Sequence, residues 1–395
     1  MHRILNVSAF HVIVTLPVVL LGLLVVHTQW LGFHLGYIGY TVLAFYGYQI
    51  AVCVGLHRLW AHQSFKAHAA VEWVLAWVAA GSLQGPILAW ASDHYKHHAF
   101  TDTPNDPHSP LKYKSRLAGF VWSHVGWMLY EPTPKKIERI ALVKLGRNKP
   151  VMWQMKHYWS LAVFMNVIVP SLVGLFIEQT WTGAFTGVVF MGLGRVLQQH
   201  ATFTVNSLCH FFGRRPYTPG TARDLWWGVF LLLGENWHNF HHAFPRDYRN
   251  GHKWYHVDIN KWIINGLRCV GLAWELEKTP RARITAKTQM TLDTFAERYV
   301  TLLGALKTEC RKIHTKVYDG YTTLCKTIGT TETHTKIPRT YGKLLLKSEK
   351  ALAHLATLRV SMDTKKLEKS LHKLQKRLTK IELRFQRILQ EHHVQ

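Results

Sequence analysis

The sequence predicts an all-α integral membrane protein with four transmembrane helices and a half-embedded hairpin. Long apolar blocks lie before residue 205 of the 395-residue chain, although the mean hydropathy of the whole chain is close to zero. A membrane-spanning helix needs about 20 mostly apolar residues. Histidine is unusually frequent, with 26 residues, and neutral imidazole is the commonest metal ligand in proteins. Together these observations predict a membrane protein that binds metal.

Four stretches are long and apolar enough to be spans: residues 4–27, 31–56, 158–177 and 183–205. The first is not read as a signal peptide, because no small-residue cleavage site follows it and a second span begins at once. A fifth apolar stretch, 71–91, is interrupted by Gly81, Gly85 and Pro86. We expect it to enter the membrane and return to the same face, since irregular backbone is tolerated at membrane depth where protein covers it.

The connecting segments predict the orientation. The short links 28–30 and 178–182 contain no Lys or Arg, whereas segments 57–156 and 206–280 are rich in both. Basic segments of membrane proteins stay on the cytoplasmic side. The histidine-rich segments and both termini are therefore expected on the cytoplasmic face.

Basic charge is concentrated in a C-terminal extension. The formal net charge of the chain is +25, and residues 281–395 hold 24 Lys and Arg against 10 Asp and Glu. Anionic lipid headgroups are the expected partner of so basic a membrane protein, and no motif indicates nucleic-acid binding. We therefore divide the chain into a membrane domain, 1–280, and a basic helical extension, 281–395.

The extension contains a heptad pattern. Its apolar positions are Leu367, Leu371, Leu374, Leu378, Ile381, Phe385 and Ile388. Alternating spacings of four and three residues are typical of a coiled-coil seam. Three structures remain open: a helix packed on the rest of the protein, a coiled coil with a partner through 367–388, or a basic helix on anionic lipid.

Three histidine boxes and one further element carry the candidate metal ligands. The nine residues are His57, His62, His94, His97, His98, His210, His238, His241 and His242. Positions i, i+3 and i+4 share a helix face, so the second and third boxes should each direct three imidazoles to one point. His57 and His62 lie roughly 140° apart on an α-helix, so they flank the centre or the helix ends between them.

Nine imidazoles are too many for one metal, so two metals are expected. Imidazole alone does not select iron, since it also suits zinc and copper. Histidines outside these elements, such as His27, His108 and His157, are predicted to be structural or surface residues. Ligating histidines usually donate their second N–H to a carboxylate, and Asp93, Asp102, Asp106 and Glu235 are candidates for this role. Asp102 and Asp106 have a second interpretation, as turn residues beside prolines.

At these motifs the sequence resembles the membrane fatty acid desaturases, specifically the acyl-CoA Δ9 (stearoyl-CoA) desaturase type. The runs HRLWAH at 57–62, HYKHH at 94–98 and HNFHH at 238–242 match that family's histidine boxes. Asn206-Ser-Leu-Cys-His210 matches its Asn-Ser-x-x-His motif. The resemblance covers approximately residues 30–280.

The resemblance implies an α-helical membrane fold with four spans and a cytoplasmic helical cap that holds a di-iron site. The nine histidines would hold two irons, with a metal-bound water on Asn206. Gln84, Trp90 and Thr202 would line the acyl chain where it bends past the metals. Electrons would come from a separate carrier of the ferredoxin, rubredoxin or cytochrome b5 type and its reductase, because the sequence contains no His-Pro-Gly-Gly haem-binding motif.

The implied function is O₂-dependent introduction of a cis double bond, at Δ9, into a saturated acyl chain carried as acyl-CoA or another thioester. Ser92 stands where animal members of the family often carry an Arg associated with CoA, so acyl carrier protein and phospholipid esters also remain open as acyl carriers. The alternatives are an acyl-lipid desaturase, or a membrane di-iron hydroxylase or ketolase of the same superfamily. A metal transporter is disfavoured, because transporters place their ligands near the middle of the membrane.

Overall fold

A computed structural model of the chain describes residues 5–130 and 136–327, with further helical residues placed singly or in short runs between 343 and 387. This described part is mostly helical, which confirms the predicted all-α class. In chain order the helices are α1 (Val7–Leu31), α2 (Tyr37–Ala61), α3 (Ala69–Gly81), α4 (Ile87–Phe100), α5 (116–129), α6 (Arg139–Leu145), α7 (Lys149–Lys156), α8 (Tyr158–Glu178), α9 (Trp181–Asn206), α10 (Leu208–Phe211), α11 (Val229–Leu232), α12 (His238–Ala243), α13 (Ile259–Cys269) and α14 (Arg281–Thr327).

The described chain also contains one small antiparallel pair of strands. Strand β1 (Lys66–Ala67) follows α2, and β2 (Ala273–Trp274) follows α13. Lys66 lies opposite Trp274, and Ala67 opposite Ala273. The pairing joins the segment after the first histidine box to the segment after α13.

Three of the described helices are long and apolar enough to cross a membrane: α1, α2 and α8. They cover three of the four predicted spans. On α1 the side chains of Val18, Leu21 and Val25 are each more than half exposed. Apolar side chains left exposed along a long helix fit contact with lipid rather than with water.

The fourth predicted span lies within α9, which is less apolar. Its 26 residues extend for about 39 Å, which is long enough to cross a bilayer core of about 30 Å. The hydropathy is lowered by Arg195, Gln198, Gln199 and His200, and the first three of these are buried. Arg195 Nη1 donates to Gln199 Oε1 at 2.6 Å, and Gln198 Nε2 donates to Gln49 Oε1 of α2 at 3.0 Å. The polar groups of α9 thus face protein, and its crossing of the membrane stays a prediction.

Glycines let α9 approach its neighbours closely. A Cβ atom added to Gly187 would collide with the carbonyl oxygen of Pro170 on α8. One added to Gly194 would collide with the carbonyl oxygen of Thr41 on α2. Small residues at such contacts allow backbones to meet in membrane helix packing. The two contacts hold α9 against both α8 and α2.

The apolar stretch 71–91 is divided into two helices, α3 and α4. Leu83 and Gly85 between them have positive φ angles of 54° and 99°. The 13 residues of α3 are too few to span a bilayer. The break is covered by protein, because Gly85 N donates to the hydroxyl of Tyr158 at 3.0 Å and Ile87 N donates to Gln154 Oε1 at 3.1 Å.

The second half of α2 is a buried π-helix. All residues of this segment, Ala51–Ala61, are buried. Leu56 and Leu59 pack there in an apolar core with Ile87 and Leu88 of α4. π-Helical turns are rare and occur frequently at functional sites. This one carries His57.

The described chain forms two compact units, Met1–Thr288 and Gln289–Gln395. The proposed division at residue 280 stays a prediction. Ile381 of the heptad pattern is buried. The other heptad positions, Leu367, Leu371, Leu374, Leu378, Phe385 and Ile388, lie outside the described residues.

The contact between α8 and α9 generates a stability prediction. In a helix interior, glycine to alanine normally stabilises by roughly 0.5–1 kcal/mol. We expect Gly187→Ala to destabilise the protein instead, by about 1–3 kcal/mol, because the added methyl group forces α8 and α9 apart. The thermal midpoint of the detergent-solubilised protein, followed by size-exclusion chromatography after heating, measures the change.

Gly47→Ala is the matched control. Gly47 also lies in a long helix, α2, but an added Cβ meets nothing within 4 Å. Its thermal midpoint should stay the same or rise. Equal midpoints for the two variants would contradict the close packing of α8 on α9.

Candidate metal centre and adjoining cavity

The structure brings all nine predicted histidines together. Two groups of four have ring nitrogens within 4.8 Å of one another: His57, His62, His94 and His241 in the first group, and His97, His210, His238 and His242 in the second. The ninth residue, His98, lies beside both groups. Its ring centroid is 4.7 Å from those of His62, His94 and His242.

The π-helical end of α2 places the first box. The backbone N–H of His62 donates to the carbonyl of His57 at 3.0 Å, a five-residue step that an α-helix does not make. The two ring centroids are consequently 4.8 Å apart. Of the two expected arrangements, the structure has the second, because α2 ends at Ala61, between His57 and His62, and the two rings lie together rather than flanking the centre.

The second and third boxes are each shared between the two groups. On α4, His94 belongs to the first group and His97 to the second. On α12, His241 belongs to the first group and His238 to the second. The expectation that each box points to one centre was therefore wrong. Residues i+3 and i+4 lie on opposite sides of residue i, about 100° apart around the helix axis, so adjacent histidines can face different centres.

Ring nitrogens of His57, in the first group, and of His98 converge on His241. Its Nε2 lies 3.1 Å from Nε2 of His57 and 3.0 Å from Nε2 of His98. A neutral imidazole has one N–H, and its other nitrogen is an acceptor. So many ring nitrogens facing one another cannot all form hydrogen bonds, because each neutral ring has only one N–H to donate. The lone pairs that remain can bind a cation.

The second group has the same arrangement around His238. Its Nε2 lies 3.1 Å from that of His210 and 3.0 Å from that of His242. Nitrogens bound about 2.1 Å from a shared metal lie about 3.0–3.4 Å from one another. The donor set of both groups therefore fits metal ions.

Burial keeps the imidazoles neutral. It lowers the pKa of His62 and His94 well below the usual value, and neighbouring histidines lower it further. The same causes lower the pKa of His98 and His210 to about 3. Since metal binding requires unprotonated histidine, these residues can act as ligands at neutral pH without losing a proton.

A buried carboxylate orients His57. Glu235 Oε2 lies 2.8 Å from His57 Nδ1, while Glu235 Oε1 accepts from Arg58 Nε at 3.0 Å. Burial raises the pKa of Glu235, but Arg58 and His57 outweigh it and lower the pKa to about 2. Glu235 is therefore an anion, and its close contact with Nδ1 orients the ring so that Nε2 faces the first group.

Other polar groups contact the second group. Asp106 Oδ1 lies 3.0 Å from His97 Nδ1. Thr221 Oγ1 lies 2.7 Å from His210 Nδ1, and the same hydroxyl donates to Asp102. Thus Asp106 reaches an imidazole directly, and Asp102 reaches one through Thr221. Asp93 lines the adjoining cavity.

Sequence reasoning missed three residues of the site. Arg58 and Thr221 carry no local signal of their role, because their partners are distant in the chain. His108 is buried, its ring centroid is 4.1 Å from that of His97, and it forms a smaller cluster with His97 and Asp106. The run Asp106-Pro107-His108-Ser109 was the available signal for it.

A cavity adjoins both groups. Its described lining is Gln49, Val52, Cys53, His57, Gln84, Trp90, Asp93, His94, His97, His108, Trp127, Met128, Thr202, Phe203, Val205, Asn206, Glu235 and His238. The three predicted substrate residues all lie in this wall. Gln84 Nε2 donates to Thr202 Oγ1 at 3.2 Å, and the indole of Trp90 stacks on His94 with ring centroids 4.9 Å apart.

A second cavity shares part of this wall. Gln84, Trp90, Asp93, Met128 and Phe203 line both. The second cavity extends past the break between α3 and α4 to the junction of α7 and α8. A long apolar ligand could therefore reach the imidazoles from there.

Sequence comparison finds known proteins that are similar to this chain. A sequence profile described as fatty acid desaturase matches residues 28–266. The chain is 38% identical over 241 residues to a probable acyl-CoA desaturase of Schizosaccharomyces pombe, covering 60% of this chain and 48% of that one. It is 34% identical over 236 residues to Delta-9 acyl-lipid desaturase 2 of Arabidopsis thaliana, covering 59% of this chain and 72% of that one.

A human stearoyl-CoA desaturase is 33% identical over 250 residues, which cover 62% of this chain and 67% of the relative. The chain spans about half the length of the S. pombe relative. The profile match covers more than half of the chain and includes all nine clustered histidines. The chain therefore belongs to the fatty acid desaturase family.

Proposed function

We propose that the protein is an O₂-dependent fatty acyl desaturase that introduces a cis double bond into a saturated acyl chain. The observation that carries this proposal is the position of the cavity, whose wall contains imidazoles of both groups beside Trp90 and Phe203. An acyl chain needs an apolar passage, and the reaction needs metal ligands within reach of its middle. Family membership supports the same reaction.

We assign two irons to the site. His57, His62, His94, His98 and His241 would hold one, and His97, His210, His238 and His242 would hold the other, with Asn206 binding through a water molecule. Asn206 lines the cavity beside His97 and His238, which supports that role. Iron supplies the oxidising chemistry with O₂ that side chains cannot provide.

The cavity residues would bind and position the acyl chain. Trp90 presents an apolar face next to His94, which keeps water away from the reacting carbons. Thr202 accepts from both Gln84 and Gln198, so this part of the wall is fixed by hydrogen bonds. A fixed wall at the metal groups would hold the chain in one bent conformation, which favours a cis product.

We further propose Δ9 as the position of the double bond and a thioester, acyl-CoA, as the carrier. The name of the Arabidopsis relative supports the Δ9 position. The names of the S. pombe and human relatives support CoA as the carrier. At the site where animal members often carry Arg, Ser92 is buried and its Oγ accepts from Glu138 N at 2.8 Å. This position therefore supplies no cation to a carrier. We assign Lys156, in the wall of the second cavity, as a cation that could contact a carrier instead.

Electrons would come from a separate carrier of the ferredoxin, rubredoxin or cytochrome b5 type with its reductase. We also propose four spans, with α9 as the fourth, and a cytoplasmic helical cap over the metal groups. The histidine-rich segments and both termini would lie on the cytoplasmic side. The distribution of Lys and Arg supports this orientation.

The reaction is tested by expressing the protein in a host that makes no unsaturated fatty acids. We expect acyl chains that have lost two hydrogens, with a cis double bond between carbons 9 and 10, located by lipid mass spectrometry. A His94→Ala variant is the inactive control. A product that has gained one oxygen instead would identify a hydroxylase or ketolase and refute the desaturase assignment.

The second group is tested at His210. Since this residue is a proposed ligand, His210→Ala should abolish desaturation and lower the iron content from two per chain, measured by elemental mass spectrometry. Asn206→Ala should retain most of the iron and lose about 10–100-fold in activity, because it acts on the metal through water.

His200→Gln is the control for these variants. His200 Nδ1 lies 3.2 Å from His124 Nε2, outside both metal groups, and glutamine can keep that hydrogen bond. Iron content and activity should stay near normal. Full activity and two irons in His210→Ala would remove this residue from the ligand set.

The orientation is tested by cysteine labelling in a background without the five native cysteines. Lys114→Cys and Lys253→Cys, both at exposed positions, should react with an impermeant reagent only from the cytoplasmic side. Thr182→Cys, exposed in the first turn of α9, should react only from the opposite side. Labelling of Lys114→Cys and Lys253→Cys from different sides would contradict the proposed topology.

A further inference from the structure

The unit Gln289–Gln395 contains a strongly basic concave surface. Its described lining, which we call the basic groove, consists of Lys347, Lys350, Ala351, Arg377, Lys380, Ile381, Leu383, Arg384 and Arg387. Six of these nine residues are cationic. The desaturase reaction proposed above uses none of them.

Four of the cationic residues are spaced so that their side chains lie on the same face of a helix. Arg377, Lys380, Arg384 and Arg387 follow one another at intervals of three, four and three residues, and each is helical and exposed. Such intervals place side chains along one face of a helix. Four positive groups are therefore aligned along one side of the groove.

Apolar residues lie between the cations. Ala351 and Ile381 are 6% and 5% exposed, while Leu383 is 64% exposed. The groove thus has a buried apolar floor, an exposed leucine and a cationic rim. This combination is typical of helices that lie at a lipid interface.

Acidic side chains do not balance these charges among the described residues of the groove. No acidic residue is among its described lining residues. Like charges three or four residues apart destabilise a helix, and Arg377, Lys380, Arg384 and Arg387 form three such consecutive pairs. An anion bound in the groove would relieve this repulsion.

We infer that the basic groove binds the headgroups of anionic phospholipids at the membrane surface. The guanidinium groups of Arg377, Arg384 and Arg387 can bind phosphate through two N–H groups each. The exposed Leu383 can pack against the acyl chains of lipid, whereas a soluble anion offers it no apolar contact. The same polypeptide carries membrane-spanning helices, so the groove is tethered to a molecule that resides in lipid.

The experiment uses the full chain in nanodiscs of phosphatidylcholine, alone or mixed with phosphatidylserine. Backbone hydrogen–deuterium exchange is followed in the peptides that cover 346–351 and 376–387. With phosphatidylserine we expect exchange there to slow by at least about 10-fold, because each Lys or Arg near an anionic surface adds favourable energy. The protection should disappear at high salt, which screens charge.

The quadruple variant Arg377→Gln, Lys380→Gln, Arg384→Gln and Arg387→Gln should lose this protection. The matched control removes four charges from α14 in the same unit: Arg298→Gln, Arg311→Gln, Lys312→Gln and Lys316→Gln, all at exposed positions outside the groove. It should keep the protection. Equal loss in both variants would mean that net charge, and not the groove, attracts the lipid, and would overturn the inference.

A soluble polyanion separates the two possible sources of phosphate. Inositol hexakisphosphate added to nanodiscs of phosphatidylcholine alone should protect the groove less than phosphatidylserine does. Equal or stronger protection would identify a soluble polyanion site and overturn the lipid assignment, as would the same exchange rate in both kinds of nanodisc. None of these outcomes depends on desaturase activity.

Discussion

The buried guanidinium of Arg58 is the group on which the arrangement of the metal centre depends. It is 1% exposed and lies one residue after His57. A buried charge is stable only when it is paired and hydrogen-bonded, and Arg58 bonds to Glu235, Asp258 and the carbonyl oxygen of Tyr248. The end of α2, the turn before α12 and the start of α13 must therefore meet at one place. Because Glu235 also contacts His57, the carboxylate that neutralises the cation also orients an imidazole.

The helices that hold this centre are joined through α9. Its glycines allow backbone contact with α8 and α2, and its polar side chains, such as Gln198 and Gln199, bond to other segments within the protein. Asn206 ends the helix beside the second histidine group. Tight packing along its length thus determines where this amide lies relative to His238. Close-packed helices transmit small displacements, so the membrane part and the metal centre form one mechanical unit.

Much of the centre could be predicted from the sequence, because ligand chemistry is a property of residue type and local spacing. The three boxes and His210 identified all nine histidines that converge, and the resemblance to the desaturases is confirmed by the family match. The arrangement of these residues could not be predicted. His57 and His62 are five positions apart, a spacing that gives divergent rings on an α-helix, and the buried π-helical segment of α2 brings them together. No local pattern marks a π-helix, which forms where packing favours it.

The sequence by itself indicated the histidines that cluster, the helical class, the apolar blocks and the family, because each depends on residue type or on neighbours within one helical turn. Only the tertiary structure determines which group each histidine faces. It also places Arg58 and Thr221 in the site, next to partners that are distant in the chain. His97 and His98 are adjacent in the chain, yet Nε2 of His97 contacts that of His242, whereas Nε2 of His98 contacts that of His241. Arg58 finds Glu235 across 177 positions of sequence. Contacts of this range arise from the packing of several helices at once, and the free energy of burying a charge selects them.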